Sequence, residues 1–217
     1  MTSNSTFAVL LGGALEIDDR VLALMQGARV IAADGGMRHA QALGVPPEVW
    51  VGDFDSTPEG LSEFHAATPR MPFPAEKNFT DGELAIEEAI ERGATRLVLI
   101  GSFGGERTDH ALSHLLQAVT LAERGLDVVL TSGLEEAVPL LPGSRDLDLP
   151  AGSLFSVVAF TALNGLSLSG AKYPLDNADI AFGASRTISN VAEGRLTASL
   201  VSGRALIVAR PHDFSGA

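Results

Sequence analysis

The sequence predicts two folds in series: a doubly wound, mostly parallel α/β sheet over residues 1–132, then a β-sandwich over residues 133–217. Three observations predict it. The first 130 residues alternate short apolar runs with helix-length segments, the pattern of βα units. Those runs are almost wholly apolar rather than apolar at every second position, as in strands covered on both faces. Beyond Gly133 short β-type runs follow one another through Gly and Pro turns, which reads as an all-β unit.

The elements follow in order. Residues 7–11 are an apolar run ending at Gly12-Gly13, and residues 29–33 end at Asp34-Gly35-Gly36. Residues 49–51 lead into Gly52-Asp53-Phe54-Asp55, residues 97–100 into Gly101, and residues 128–130 into Thr131-Ser132-Gly133. Helical period is clearest over 81–92 and 108–124, where Ala111, Leu112, Leu115, Leu116 and Val119 form one stripe. In the second half the β-type runs are 137–141, 154–160, 196–201 and 205–209, and residues 176–181 are expected to make a turn or two of helix.

Composition narrows the function. With 15 basic and 27 acidic residues the net charge is −12, which opposes a broad nucleic-acid surface and suits a cation, or an anion carried in with a metal. There is no cysteine, so disulfides, thiolate nucleophiles and Cys-ligated zinc are excluded. No apolar run is long enough to span a bilayer, and no basic residue precedes Arg20. A cytoplasmic protein with no membrane and no nucleic-acid partner is expected.

In an open parallel sheet, ligands bind beyond the carboxyl ends of the strands. Gly and Asp recur at those positions here: Gly lets backbone N–H groups approach a phosphate, and carboxylates hold magnesium. Each signal has a plainer reading. Asp34-Gly35-Gly36 is also a turn sequence, and Asp53 with Asp55 is either an Asx-type turn or a metal pair. Thr80-Asp81-Gly82-Glu83 fits a capping box, in which Asp81 only favours the helix N-terminus. Arg107 and Asp109-His110 open a helix after a Gly-rich loop, where an Arg suits a phosphate. His110 and His114 share a helix face, a spacing that reads as structural without a third ligand. Neither lysine, Lys77 nor Lys172, follows a Gly or precedes Ser or Thr, so there is no Walker A loop.

Taken in order, Ala33-Asp34-Gly35-Gly36, Gly52-Asp53-Phe54-Asp55-Ser56, Lys77-Asn78-Phe79-Thr80-Asp81 and Gly101-Ser102-Phe103-Gly104-Gly105-Glu106-Arg107-Thr108-Asp109-His110 resemble the thiamine pyrophosphokinase family. The resemblance continues through Leu163-Asn164-Gly165-Leu166, Lys172-Tyr173-Pro174-Leu175 and Ser189-Asn190. It implies an α/β catalytic domain, a thiamine-binding β-sandwich, and a homodimer with sites between subunits. It also implies magnesium-dependent transfer of pyrophosphate from ATP to thiamine, giving thiamine diphosphate and AMP. The other readings are a phosphotransferase for another small alcohol and a non-catalytic thiamine or nucleotide sensor.

Carried over residue by residue, the resemblance makes Asp53, Asp55, Asp81 and Asp109 the catalytic carboxylates, with Asp53, Asp55 and Asp81 as magnesium ligands. Asp34, Gly35, Gly36, Lys77, Gly104, Gly105, Arg107 and His110 become ATP-binding residues, and Ser189 and Asn190 thiamine-binding ones. The chain departs from the family pattern at Asn78, where a carboxylate is common, at His114, where Asn is, and at Thr187, where Ser is. Residues 205–209 also lack the aromatic that stacks on thiamine in some members.

Overall fold

A computed structural model describes residues 5–54, 60–61, 66–73, 79–105 and 107–216. The chain divides into two compact units, Met1–Leu112 with Gly125–Gly133, and Ser113–Arg124 with Leu134–Ala217.

The first unit is built on parallel strands β1 (Thr6–Leu10), β2 (Arg29–Ala33), β3 (Val49–Gly52), β4 (Arg70–Pro72), β5 (Arg96–Ile100) and β6 (Asp127–Thr131). Their order across the sheet is β6-β5-β1-β2-β3-β4. Every residue from Phe7 to Leu10 and from Leu97 to Ile100 is fully buried, as a sheet covered on both faces requires. Alternation divides those residues between the faces. Ala8, Leu10, Val30, Ala32, Val98 and Ile100 pack with Val21 and Met25 of helix α1 (Asp19–Met25), with Met37, and with Ala40 of helix α2 (Arg38–Leu43). The Asp18 carboxylate caps α1 by accepting from Val21 N at 2.7 Å.

Helix α3 (Asp81–Glu91) contacts β1, β2 and β3 and buries Ala85, Ile86 and Ala89. Its start is a full capping box: Thr80 Oγ1 accepts from Glu83 N at 3.2 Å, and Glu83 Oε2 accepts from Thr80 N at 2.9 Å. Helix α4 (Thr108–Glu123) begins in this unit, and its residues from Ser113 belong to the second. Among the described residues no helix is long and apolar enough to cross a membrane.

The second unit is antiparallel. Strand β13 (Ala205–Arg210) lies between β7 (Glu136–Leu140) and β9 (Leu154–Ala159). Strand β12 (Asn190–Leu200) pairs with β9 through Asn190 and Val191, and from Arg195 onward with β8 (Gly143–Asp148). On its other side β12 pairs with β10 (Leu163–Ala171), which pairs with β11 (Leu175–Ile180). β12 thus changes partners along its length. The change falls across Gly194, whose φ of +110° only glycine holds without strain.

One expectation is corrected: residues 176–181 do not make helix, because Leu175–Ile180 is strand β11. The register against β10 shifts between Leu166 and Leu168, and Asn177 has a φ of +47°. That irregularity breaks the apolar alternation by which a strand is recognised.

Candidate active site

The chain leaves β1 toward β2, while β5 pairs on the other side of β1. The carboxyl ends of β1 and β5 therefore border the point where strand order reverses, the crevice that open sheets use for ligands. The segments leaving both strands are locked together there. Leu11 N donates to Ile100 O at 2.8 Å, and Gly13 N to Gly101 O at 2.9 Å. A Cβ on Gly13 would lie 2.4 Å from Gly101 O and 2.7 Å from Phe103 O, so only glycine allows this approach.

Two residues that sequence reasoning did not single out hold the same loops. The exposed Arg38 guanidinium donates to the carbonyl oxygens of Gly12, Gly13 and Gly35. Buried His39 donates through Nε2 to Gly13 O at 3.0 Å. Burial, with the charge of Arg38 beside it, lowers the His39 pKa. A signal for Arg38 was present. A cation in the first turn of a helix opposes the helix dipole, so another interaction must hold it there.

Asp34 opens a 3₁₀ turn, Asp34–Met37, with a left-handed φ of +40°. Its carbonyl accepts from Trp50 Nε1 at 2.9 Å. Gly35 has room around it, the nearest atom to an added Cβ being Arg38 Nη1 at 3.5 Å. At Gly36 that Cβ would lie 2.1 Å from Leu10 O. These two expected ATP-binding glycines therefore differ, because Gly36 is where the turn packs on β1.

Asp53 follows β3 and is half-buried. Its neighbour Gly52 packs on Asp34, since a Cβ on Gly52 would be 3.4 Å from Asp34 Cα. Asp55 and Lys77 lie outside the described residues. Asp81 is the first residue of α3, half-buried, with the capping bonds made by Thr80 and Glu83 on either side of it. Among the described residues no three carboxylates or imidazoles are gathered as a metal cluster.

At the start of α4, Arg107 donates to Asp109 through two parallel bonds, Nε to Oδ1 at 2.9 Å and Nη2 to Oδ2 at 2.7 Å. This fork holds the exposed Asp109 carboxyl well below the usual range, with Asp109 and His110 backbone N–H groups assisting. Gly104, Gly105 and His110 are exposed beside it. The glycines and the helix N-terminus suit an anion.

In the second unit, a cavity of about 340 Å³ is lined by Leu168, Tyr173, Leu175, Arg186, Thr187, Ile188 and Asn190. Asn190 is buried, and its amide is spent locally: Nδ2 donates to Tyr173 O at 2.8 Å, and Oδ1 accepts from Tyr173 N at 3.1 Å. Tyr173 is thereby pinned at the cavity with 60% of its surface exposed. Thr187 is also committed, donating through Oγ1 to Val157 O at 2.7 Å. Ser189 is exposed at a φ of +61°, its N–H donating to Ser156 Oγ at 3.0 Å. Sequence reasoning looked for an aromatic in residues 205–209, but those residues form the central strand β13. The exposed aromatic that lines the cavity, Tyr173, stands on the loop that Asn190 holds.

Two family models match the chain: the thiamin pyrophosphokinase catalytic domain over residues 22–130 and the thiamin pyrophosphokinase vitamin B1 binding domain over residues 145–204. The thiamine pyrophosphokinase of Bacillus subtilis (strain 168) is 30% identical over 183 residues, covering 82% of this chain and 85% of that protein. A crystal structure of thiamine pyrophosphokinase from Bacillus subtilis superposes with a TM-score of 0.84 at 27% identity, covering 96% of this chain and all (100%) of the other. A thiamin pyrophosphokinase family protein from Enterococcus faecalis gives 0.79 at 26% identity, with 97% and 100% covered.

Proposed function

Because the chain belongs to the thiamin pyrophosphokinase family, we propose that it transfers pyrophosphate from ATP to the primary hydroxyl of thiamine, giving thiamine diphosphate and AMP. The hydroxyl oxygen attacks the β-phosphorus in line. The bond from that phosphorus to the α–β bridging oxygen breaks, AMP leaves with the electron pair, and the hydroxyl proton passes to a base. Positioning and charge neutralisation carry most of such a reaction. The observation that carries the proposal is the placement of Asp34 and Asp53 just after the adjacent strands β2 and β3, beside the glycine loops of the switch point.

The donor set fits magnesium. Magnesium is commonly held by one or two carboxylates together with substrate phosphates, so a closed protein cage is not required. Asp53, with Asp34, Asp55 and Asp81, would hold the ion, whose charge would offset that of the phosphates. Arg107, fixed by Asp109, and Lys77 then meet the phosphates as cations, while Gly35, Gly104, Gly105 and His110 border the nucleotide.

In this reading the α/β domain over 1–132 is doubly wound and binds ATP and magnesium, and the domain over 133–217 is a β-sandwich that binds thiamine. Ser189 offers its hydroxyl to the aminopyrimidine, Tyr173 offers its ring face, and Asn190 acts by holding Tyr173. The protein is a cytoplasmic homodimer with each site drawing on both subunits.

Incubation with ATP, thiamine and magnesium should yield AMP and thiamine diphosphate in equal amounts. ADP and thiamine monophosphate as main products would refute the pyrophosphoryl transfer. Ser189→Ala should raise the KM for thiamine about five-fold, the effect of one lost neutral hydrogen bond, and leave the KM for ATP nearly unchanged. Equal change in both constants would remove Ser189 from the thiamine site. Mixing Ser189→Ala with Asp53→Asn subunits should restore part of the activity if the sites are shared.

A further inference from the structure

The chain has one tryptophan, Trp50, and its surroundings are unusual for a core residue. It is fully buried in β3, in register with Ala32 of β2 on one side and Arg70 of β4 on the other. A buried indole N–H needs an acceptor, and here it is the carbonyl of Asp34 at 2.9 Å, sixteen residues away in sequence. The Phe54 ring meets the indole edge-on at 5.1 Å and 89°. The Arg70 guanidinium lies over both rings, 5.1 Å from the centroid of Trp50 and 5.2 Å from that of Phe54.

The two residues so gripped both have disfavoured backbones: Asp34 has a φ of +40° and Phe54 of +61°. Left-handed conformations of non-glycine residues persist where their surroundings over-determine them, and they concentrate at functional sites. Asp53 lies directly before Phe54, so the same ring system fixes the chain on which both carboxylates stand.

We propose that Trp50 is a positioning residue of the pyrophosphoryl-transfer edge: its N–H sets the backbone of Asp34, and its ring, through Phe54, sets that of Asp53. The pair is thereby presented to a divalent cation at one spacing, and Trp50 reports that cation's arrival. This rests on the reading of Asp34 and Asp53 as a cation-phosphate site. The residue is distinct from the groups that touch substrate.

Two measurements test it. In the parent protein, magnesium chloride added with a non-hydrolysable ATP analogue should change Trp50 emission saturably, at the concentrations that raise Tm, and Asp34→Asn should abolish the response. Trp50→Phe keeps a ring in the core and removes the N–H. Its concentration of magnesium for half-maximal stabilisation should rise about five-fold, with a comparable fall in kcat and little change in the KM for thiamine. A purely structural Trp50 would lower the cation-free Tm and leave the magnesium midpoint where it was, which overturns the proposal. So does parent emission that ignores the cation and analogue. Failure of the functional reading looks different: Trp50 would still respond, but thiamine would not be converted.

Discussion

Asp53→Asn should lower kcat on the order of a hundred-fold or more, the loss expected when a charge-stabilising group leaves a phosphoryl-transfer site. Asn keeps the size of the side chain and its aptitude for Asx turns, so a turn residue would survive the change. Asp53 is half-buried and follows Gly52, which packs on the backbone of Asp34. In the proposed cation site the carboxylates of Asp34 and Asp53 would repel one another until a cation arrives. Without metal, the melting temperature of the variant should therefore equal or exceed that of the parent. Magnesium should then stabilise it less, since a ligand stabilises only the state it binds. Thermal scans with and without magnesium, alongside steady-state rates, separate the two readings. Near-parent kcat with an unchanged magnesium midpoint would take Asp53 out of the metal set.

Gly36→Ala should cost on the order of 3 kcal/mol or more, as overpacking against an immovable neighbour does. For a chain of this size that is a fall in Tm of about 10 °C. The added methyl would sit 2.1 Å from Leu10 O and 2.6 Å from Leu10 C, main-chain atoms of a fully buried central strand. Gly35→Ala makes the contrast, because its methyl meets nothing closer than Arg38 Nη1 at 3.5 Å. That variant should melt with the parent and, if the backbone there approaches a phosphate, raise the KM for ATP. Equal melting temperatures for both variants would mean that the turn does not pack on β1 as described.

Strands β1, β2 and β5 of the first unit were legible because they are buried on both faces, so their apolar runs are uninterrupted, whereas the short and partly exposed β4 escaped. Helices α3 and α4 were legible for the related reason that one stripe of each is apolar. Strands β8, β10 and β11 escaped. β8 is mostly polar, with Leu147 its only buried residue. In β10 the register shifts between Leu163 and Leu166, between Leu166 and Leu168, and again between Ser169 and Ala171. Each shift erases the alternation from which a strand is read.

The candidate site divides in the same way. Which residue types stand after each strand is local information, and Asp34, Asp53, Arg107 and Asp109 could be picked from the sequence for their chemistry. The roles of Gly36, Arg38, Asn190 and Trp50 could not, because each depends on a partner distant in sequence. Arg38 reaches the carbonyls of Gly12 and Gly13, and Asn190 holds Tyr173. The Trp50 bond to Asp34 exists because β2 and β3 are neighbours and Trp50 pairs with Ala32. Sequence alone determined the kinds of chemistry available at the sheet edge, since side-chain type and turn preference are local properties. Only the tertiary structure decided which backbone each carboxylate stands on, because strand order and register bring sequence-distant donors and acceptors together.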